Sequence, residues 1–168
     1  DTITVVADSF TSLLTEITVM PRTAMGAHTL PGKYFTSQEV HDRETDRIFL
    51  KQWICVGRAS SIAEPGDFFL HEMDGESFII VRAKSGQVNC FYNVCRHRGT
   101  RLQREPCGHI KSRIHCPYHA WAYDTDGHLK SAPNMMGTED FCEQDHSLQT
   151  AACVVWQGFI LINQQQPG

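Results

Sequence analysis

The feature that most constrains this chain is a pair of short motifs that each join one cysteine to one histidine. Cys95-Arg96-His97 is a C-x-H pair, and Cys116-Pro117-Tyr118-His119 is a C-x-x-H pair that follows 18 residues later. Each pair stands where a predicted strand gives way to a tight loop. Two such loops meeting at their tips would bring two thiolates and two imidazoles to one metal centre.

Two kinds of metal centre accept these ligands, and their order along the chain distinguishes them. In a Rieske [2Fe–2S] cluster, two histidines replace two cysteines on one iron and raise the reduction potential. A structural zinc ion bound by two cysteines and two histidines is the alternative. Zinc fingers place a cysteine pair before a histidine pair, which is not the order found here. The spacing therefore favours a Rieske cluster whose ligands are Cys95, His97, Cys116 and His119.

The residues around the two motifs extend the pattern. The second motif continues as Ala120-Trp121-Ala122-Tyr123 and Asp126-Gly127-His128-Leu129, while Pro65-Gly66-Asp67 lies upstream and Gly158-Phe159 downstream. Over residues 30–165 the sequence resembles the Rieske domain of the alpha subunit of Rieske non-haem iron oxygenases, also called aromatic-ring-hydroxylating oxygenases. The separation of the motifs is slightly long for that family, so we expect a wider loop around Pro106-Cys107-Gly108.

The resemblance implies an electron-transfer module. Such a domain receives electrons from a reductase or ferredoxin and passes them to a mononuclear Fe(II) in a C-terminal catalytic domain of the same or a neighbouring subunit, within a homotrimer. We find no second iron site in the sequence, so we expect that catalytic domain to be absent from this chain. Leu30–Tyr34 and Cys116–Trp121 look closest to oxygenases of quaternary ammonium compounds. A free-standing Rieske ferredoxin, which carries electrons without an attached enzyme, is the alternative function.

The resemblance also assigns expected roles to single residues. Thr100 and Tyr118 stand where high-potential Rieske proteins carry two further cysteines, which implies a potential near the low end of the range, about −150 mV. We expect His119 to face an acidic residue of the catalytic domain and Arg96 to lie beside the cluster. Tyr118 and Trp121 are expected to pack behind the cluster and shield it.

Short strands separated by turns predict the fold class. We expect a mainly β, Rieske-type antiparallel sandwich or barrel with a separate cluster-binding lobe and one N-terminal helix. Asp74-Gly75 and Gln157-Gly158 are predicted hairpin turns. The helix is predicted from Thr36 to about Lys51, with Thr36 and Glu39 as a capping box. The predicted strands are Trp53–Val56, Phe68–Met73, Phe78–Arg82, Val88–Tyr92, Arg113–His115, Trp121–Tyr123, His128–Lys130, Thr150–Trp156 and Phe159–Asn163.

Composition bounds the rest of the interpretation. Residues 1–30 are predicted to form an N-terminal arm, and residues 31–168 one Rieske domain. Of seven cysteines, Cys55, Cys90 and Cys153 lie in apolar runs and are predicted to be buried thiols. Because no disulfide framework or signal peptide is visible, we expect a reducing, cytoplasmic location without membrane attachment. The net charge of −4 argues against nucleic acid as a partner.

The segment between the two motifs is basic. Residues 96–113 contain six lysines and arginines. Such charges make it easier to add an electron to a nearby cluster, and they steer acidic partners towards it. An ordinary solvated loop is the alternative explanation for these residues.

Overall fold

The computed structural model describes residues 29–135 and 138–165. The chain divides into two units between Thr36 and Ser37. The predicted arm over residues 1–30 lies outside the described residues except for Thr29 and Leu30, so it stays a prediction, as does the boundary after residue 30. Among the described helices, none has the length and apolar character needed to cross a membrane.

The second unit is built from ten short strands in three antiparallel sheets. Strands β1, β10 and β9 form the first sheet in that order, strands β4, β3, β2 and β5 the second, and strands β6, β7 and β8 the third. The predicted mainly β class with antiparallel pairing is confirmed. The bounds are Ile54–Arg58 (β1), Asp67–Met73 (β2), Glu76–Arg82 (β3), Val88–Tyr92 (β4), Cys107–His109 (β5), Ile114–His115 (β6), Ala122–Tyr123 (β7), Leu129–Ser131 (β8), Ala152–Trp156 (β9) and Phe159–Asn163 (β10).

Strand β3 lies between the two hydrophobic cores of this unit, so both of its faces are buried. Phe78 and Ile80 point to one side and pack among the residues of the first sheet, including Ile160. Ile79 and Val81 point to the other side and pack against the lobe formed by β6, β7 and β8. Since side chains alternate along a strand, the apolar run of β3 supplies one wall to each of two hydrophobic cores.

Two hairpin turns were predicted correctly. Asp74 and Gly75 have φ angles of 53° and 84°, and Gln157 and Gly158 have φ angles of 48° and 82°. Positive φ at both central residues is the conformation that matches the twist of the flanking strands. The turns join β2 to β3, the middle pair of the second sheet, and β9 to β10, the edge and central strands of the first.

The predicted helix is interrupted and its capping box is wrong. A four-residue helix, α1, spans Lys33–Thr36, and a second, α2, spans Gln38–Glu44 and continues as a π-helical turn over Thr45–Phe49. Ser37, in an extended conformation, is the N-cap of α2, and no side chain caps that helix. The Thr36 hydroxyl instead donates to the Gly32 carbonyl, because Thr36 closes the preceding turn.

The wide loop predicted around Pro106-Cys107-Gly108 is wrong. Cys107–His109 forms the edge strand β5, which pairs with Asp67–Phe69 of β2. Cysteine and glycine carry no strand signal, so the strand exists because β2 offers an open edge. The side chain of Phe68 lies 3.0 Å from where a Cβ on Gly108 would be, which explains why this position accommodates glycine. Cys55, predicted to be buried, is exposed, whereas Cys90 is buried.

Asn93 fastens the end of β4 to the segment that follows the first motif. Its side chain is 1% exposed. The amide oxygen accepts hydrogen bonds from the backbone N–H groups of Leu102 and Gln103. The amide nitrogen donates to the Ser77 hydroxyl and to the Gln103 carbonyl.

We predict that Asn93→Ala lowers the free energy of unfolding by about 2–4 kcal/mol. The half-buried Gln103 N–H loses its acceptor, and the buried Leu102 N–H keeps only the Asn93 backbone carbonyl at 3.4 Å. The Ser77 hydroxyl and the Gln103 carbonyl each lose a donor.

Asn89→Ala is the matched control, since Asn89 is only half-buried and its main hydrogen bond is a donation to the Thr125 carbonyl. We expect a loss of about 1 kcal/mol there. Urea unfolding of both variants measures the difference, and equal losses would show that the Asn93 network adds nothing.

Candidate metal centre

The first cysteine–histidine loop is closed by its own backbone. The N–H of Cys95 donates to the Thr100 carbonyl at 2.8 Å, and the N–H of Gly99 donates to the Cys95 carbonyl at 3.0 Å. Gly99 has a φ of 70°, a left-handed conformation that glycine adopts without cost. A bridge between Val94 and Arg101 pins the base of the loop. The chain therefore leaves β4, turns tightly around Cys95 and returns.

The second loop is closed by the same two backbone hydrogen bonds. The N–H of Cys116 donates to the Trp121 carbonyl at 2.7 Å, and the N–H of Ala120 donates to the Cys116 carbonyl at 3.2 Å. The hydrogen bonds thus join the same relative positions, i to i+5 and i+4 to i, in both loops. Ala120 has a φ of 58°, the strained counterpart of the glycine in the first loop. Because the histidine follows its cysteine by two residues in one loop and by three in the other, the loops are alike but not identical.

The fold brings all four predicted ligands together at the tips of these loops. Cys95 and Cys116 are buried, at 2% and 4% exposure, within one hydrophobic core. The rings of His97 and His119 lie edge to face, with centroids 4.7 Å apart. The Nδ1 atom of each ring is buried and has no hydrogen-bond partner among the described residues. A buried, unpaired ring nitrogen is costly, and two adjacent ones mark a place for a bound group.

This donor set fits a two-iron cluster. Two thiols and two unpartnered imidazole nitrogens are the donors that Rieske clusters use. In such a cluster each iron takes two protein ligands, so the four donors of the two loops suffice. Burial, reinforced by His119 and Arg98, lowers the pKa of His97 and favours the neutral form that can bind metal.

Tyr123 contacts the first cysteine directly. Its hydroxyl oxygen lies 3.3 Å from the Cys95 sulfur and accepts a hydrogen bond from the Arg96 N–H at 3.1 Å. Because the oxygen acts as an acceptor towards Arg96, the hydroxyl proton is free to be donated to the sulfur. Burial holds the pKa of Tyr123 well above its usual value, so the proton stays on the oxygen. Burial also raises the pKa of the Cys95 thiol, and the hydrogen bond with Tyr123 opposes that shift.

Aromatic side chains support the histidines unequally. Trp121, 1% exposed, stacks on His97 with centroids 4.8 Å apart and an interplanar angle of 7°. Tyr118 contacts the His119 ring with centroids 3.8 Å apart but is 61% exposed. The predicted shielding role therefore suits the position of Trp121, whereas Tyr118 covers one ring from the solvent side.

Sequence reasoning missed three residues of this site. Tyr123 lies four positions after the second histidine, but the motif pattern alone does not reveal its contact with Cys95. Phe141 and His146 pack edge-on against Trp121, with centroids 5.7 and 5.5 Å away. His146 also hydrogen-bonds the Cys142 carbonyl through Nδ1 at 2.8 Å. No sequence pattern links these two residues to the motifs, because only the fold brings residues 141–146 beneath the second loop.

Comparison with known proteins decides the family. Residues 52–143 match the family described as Rieske [2Fe-2S] domain. The chain belongs to this family. The two motifs, the cofactor predicted from them and the Rieske-type fold are thereby accounted for, and the relatives of this Rieske domain are oxygenase alpha subunits.

Three relatives show the extent of the likeness. The chain is 38% identical over 140 residues to the carnitine monooxygenase oxygenase subunit of Acinetobacter baumannii, covering 83% of this chain and 38% of that protein. A solved quaternary ammonium Rieske monooxygenase is 37% identical with a TM-score of 0.74, covering 82% of this chain and 38% of that one. For naphthalene 1,2-dioxygenase from Rhodococcus sp. the identity is 30%, the TM-score 0.74 and the coverage 80% and 31%. The Rieske domain thus spans less than half the length of these relatives.

We predict that Tyr123→Phe lowers the reduction potential of this Rieske domain. A hydrogen bond to a cluster sulfur stabilises the more negative reduced state. The expected fall is on the order of tens of millivolts, since about 59 mV corresponds to a tenfold change for one electron. Redox titration followed by electron paramagnetic resonance measures it. Tyr92→Phe, which alters a half-buried tyrosine that packs against the other core, should leave the potential unchanged. An unchanged potential in Tyr123→Phe would exclude the hydrogen bond.

Proposed function

We propose that Cys95 and Cys116 bind one iron of the [2Fe–2S] cluster and that His97 and His119 bind the other. The observation that carries this assignment is the pair of buried Nδ1 atoms without partners, set beside two cysteines buried in the same core. Binding iron through Nδ1 leaves Nε2 as the second nitrogen of each ring. The bound cluster supplies one-electron transfer.

We further propose that this Rieske domain relays electrons in an oxygenase alpha subunit. A reductase or ferredoxin supplies the electrons, and a mononuclear iron in a catalytic domain beyond this chain receives them. Support comes from relatives that are two to three times longer than the matched region, and from one whose structure is described in terms of inter-subunit electron transfer. The likeness to oxygenases over more than four fifths of the chain favours this function over a free-standing ferredoxin.

The position of His119 suits delivery of the electron. Tyr118 beside it is exposed, whereas the neighbour of His97 is the buried Trp121. Both histidines are half-buried, and the family resemblance assigns His119 to the side that faces the catalytic domain. In the intact protein we propose that an acidic residue of the catalytic domain contacts its Nε2, which orients the imidazole across the interface.

Substrate, assembly and location follow from the relatives and from the cysteines. We propose a quaternary ammonium substrate of the carnitine type for the intact enzyme, because relatives that act on such compounds match over 82–83% of the chain.

For the assembly we propose a homotrimer, which would place the Rieske domain of one subunit beside the catalytic domain of the next. All seven cysteines are unpaired by disulfides, which supports a reducing, cytoplasmic compartment.

We predict that Cys95→Ser and Cys116→Ser abolish cluster binding, because serine cannot replace a soft thiolate at iron. Cys107→Ser and Cys142→Ser are matched controls, since both of these cysteines are exposed and lie outside the two loops. The controls should retain about two irons and two acid-labile sulfides per chain. Iron and sulfide analysis with visible absorption measures the outcome. Zinc as the dominant metal, or loss of the cluster in the controls alone, would overturn the assignment.

We predict that the 168-residue chain accepts one electron but oxidises no substrate. The physical reason is that oxygen activation in oxygenases of this kind needs a mononuclear iron, and the family resemblance places that iron in a catalytic domain beyond the matched region. The test mixes the reduced chain with carnitine and oxygen and searches for product by mass spectrometry, with the intact oxygenase as the positive control. Stoichiometric product from the chain alone would require a second iron site and would contradict the proposal.

A further inference from the structure

Charge is distributed very unevenly over this Rieske domain. Residues 96–113 contain six lysines and arginines and one acidic residue, a net charge of +5. The whole chain carries −4, so the remaining residues together carry −9. Segregation of this kind creates a local field that attracts a partner of opposite sign.

Most of these cations are not engaged within the domain. Arg101 forms an ion pair with Glu72. The other five are exposed, and over the described residues none of them forms a salt bridge: Arg96, Arg98, Arg104, Lys111 and Arg113. Because these five side chains are exposed and form no ion pair within the described residues, their charges are available to a partner.

The basic segment also forms a cleft with a volume of about 320 Å³. Its floor is apolar and is made by Phe68, Leu102 and Ile110, which are nearly buried. Its rim is polar and basic and consists of Gln103, His109, Lys111, Ser112, Arg113 and His115. The carboxylate of Asp67, the residue before Phe68, is already held by the His109 ring at 2.8 Å and by the Glu64 N–H. Lys111 and Arg113 on the rim are exposed and form no salt bridge with the described residues.

The cleft lies next to the metal-binding loops. Leu102 on its floor packs in the same core as Cys95 and Cys116. His115 on its rim directly precedes Cys116 and pairs with Ala122 in the small sheet that carries the second loop. A protein seated in the cleft would thus contact the core that holds the two motif cysteines.

We propose that this cleft, defined by its Lys111 and Arg113 rim, is the docking site for an acidic electron-donor protein. The proposal rests on the electron-transfer function proposed above. A donor carboxylate pairs with Lys111 or Arg113, while an apolar side chain beside it covers the floor at Leu102. In the encounter the reduced donor loses one electron and the oxidised Rieske domain gains one. Arg96, Arg98 and Arg104 contribute attraction at longer range.

Charge reversal with a matched control tests the docking site. The test variant is Lys111→Glu/Arg113→Glu. The control is Arg43→Glu/Lys84→Glu, which makes the same change in net charge at two exposed cations outside the basic segment. Lys111→Gln/Arg113→Gln is a milder second variant. Far-ultraviolet circular dichroism and iron content establish that each protein is folded and loaded.

The first measurement is binding, by calorimetry at about 0.15 M ionic strength, where exposed charges more than about 8 Å apart are largely screened, of an oxidised acidic plant-type [2Fe–2S] ferredoxin, which transfers no electron. We expect Kd to rise at least about tenfold in the reversal variant, less in the glutamine variant, and under about threefold in the control, since long-range charge alone is screened by salt. Equal weakening in the reversal variant and the control would show that only net charge matters and would overturn the site.

The second measurement separates failure of docking from failure of electron transfer. Stopped-flow absorbance follows reduction by the reduced ferredoxin and by a small neutral reductant, photoreduced deazaflavin. We expect the ferredoxin rate to fall about tenfold or more in the reversal variant, with deazaflavin rates unchanged in every protein. A cluster that neither reductant reduces contradicts the electron-transfer function itself. Normal deazaflavin reduction with ferredoxin rates insensitive to Lys111 and Arg113 overturns docking alone.

The same variants also test two other possible occupants of the cleft. The acidic remainder of a second copy could fill it, in which case sedimentation would show a dimer that the reversal variant loses. A nucleic acid could fill it, in which case a single-stranded oligonucleotide would bind and displace the ferredoxin. Either result would replace the electron donor as the partner.

Discussion

Burial of the two motif cysteines in a hydrophobic core is the constraint on which the rest of this Rieske domain depends. Cys95 and Cys116 come from loops that are distant along the chain, yet both lie within one cluster of buried side chains. That core includes Ile79 and Val81 from one face of β3. Packing against a common sheet fixes the position of both loop bases. The backbone hydrogen bonds within each loop then set the orientation of its histidine.

Of the two hydrophobic cores, one contains the motif cysteines and the other does not. The core on the Phe78 and Ile80 side of β3 joins the first two sheets and contacts neither motif. The other core contains the motif cysteines together with Trp121 and Tyr123. Substitutions in the first core are therefore expected to act on folding alone, whereas substitutions in the second also change the surroundings of the metal site. Asn93 connects the two regions, since it ties the end of β4 to the segment after the first loop.

The electrostatics of the molecule show a related division. Burial disfavours charge on the free side chains near the motifs: it raises the pKa of the Cys95 thiol and of Tyr123 and lowers that of His97. The charged groups of the same region lie on the surface, where water solvates them. An apolar site keeps the hydrogen bond between Tyr123 and Cys95 strong, while the exposed cations act on partners at a distance. Cluster surroundings and partner recognition are thus set by different residues.

The sequence by itself determined the family, the fold class and the four candidate ligands, because cysteine and histidine at fixed spacing have few chemical uses and alternating apolar strands have few ways to pack. It also determined the hairpin turns at Asp74-Gly75 and Gln157-Gly158, whose conformation is a local property. Only the tertiary structure decided that Cys107–His109 is a strand, since the open edge of β2 induces it. The contacts of Tyr123, Phe141 and His146 likewise depend on residues far apart in sequence. Tertiary packing brings those residues together, and no local sequence pattern predicts these contacts.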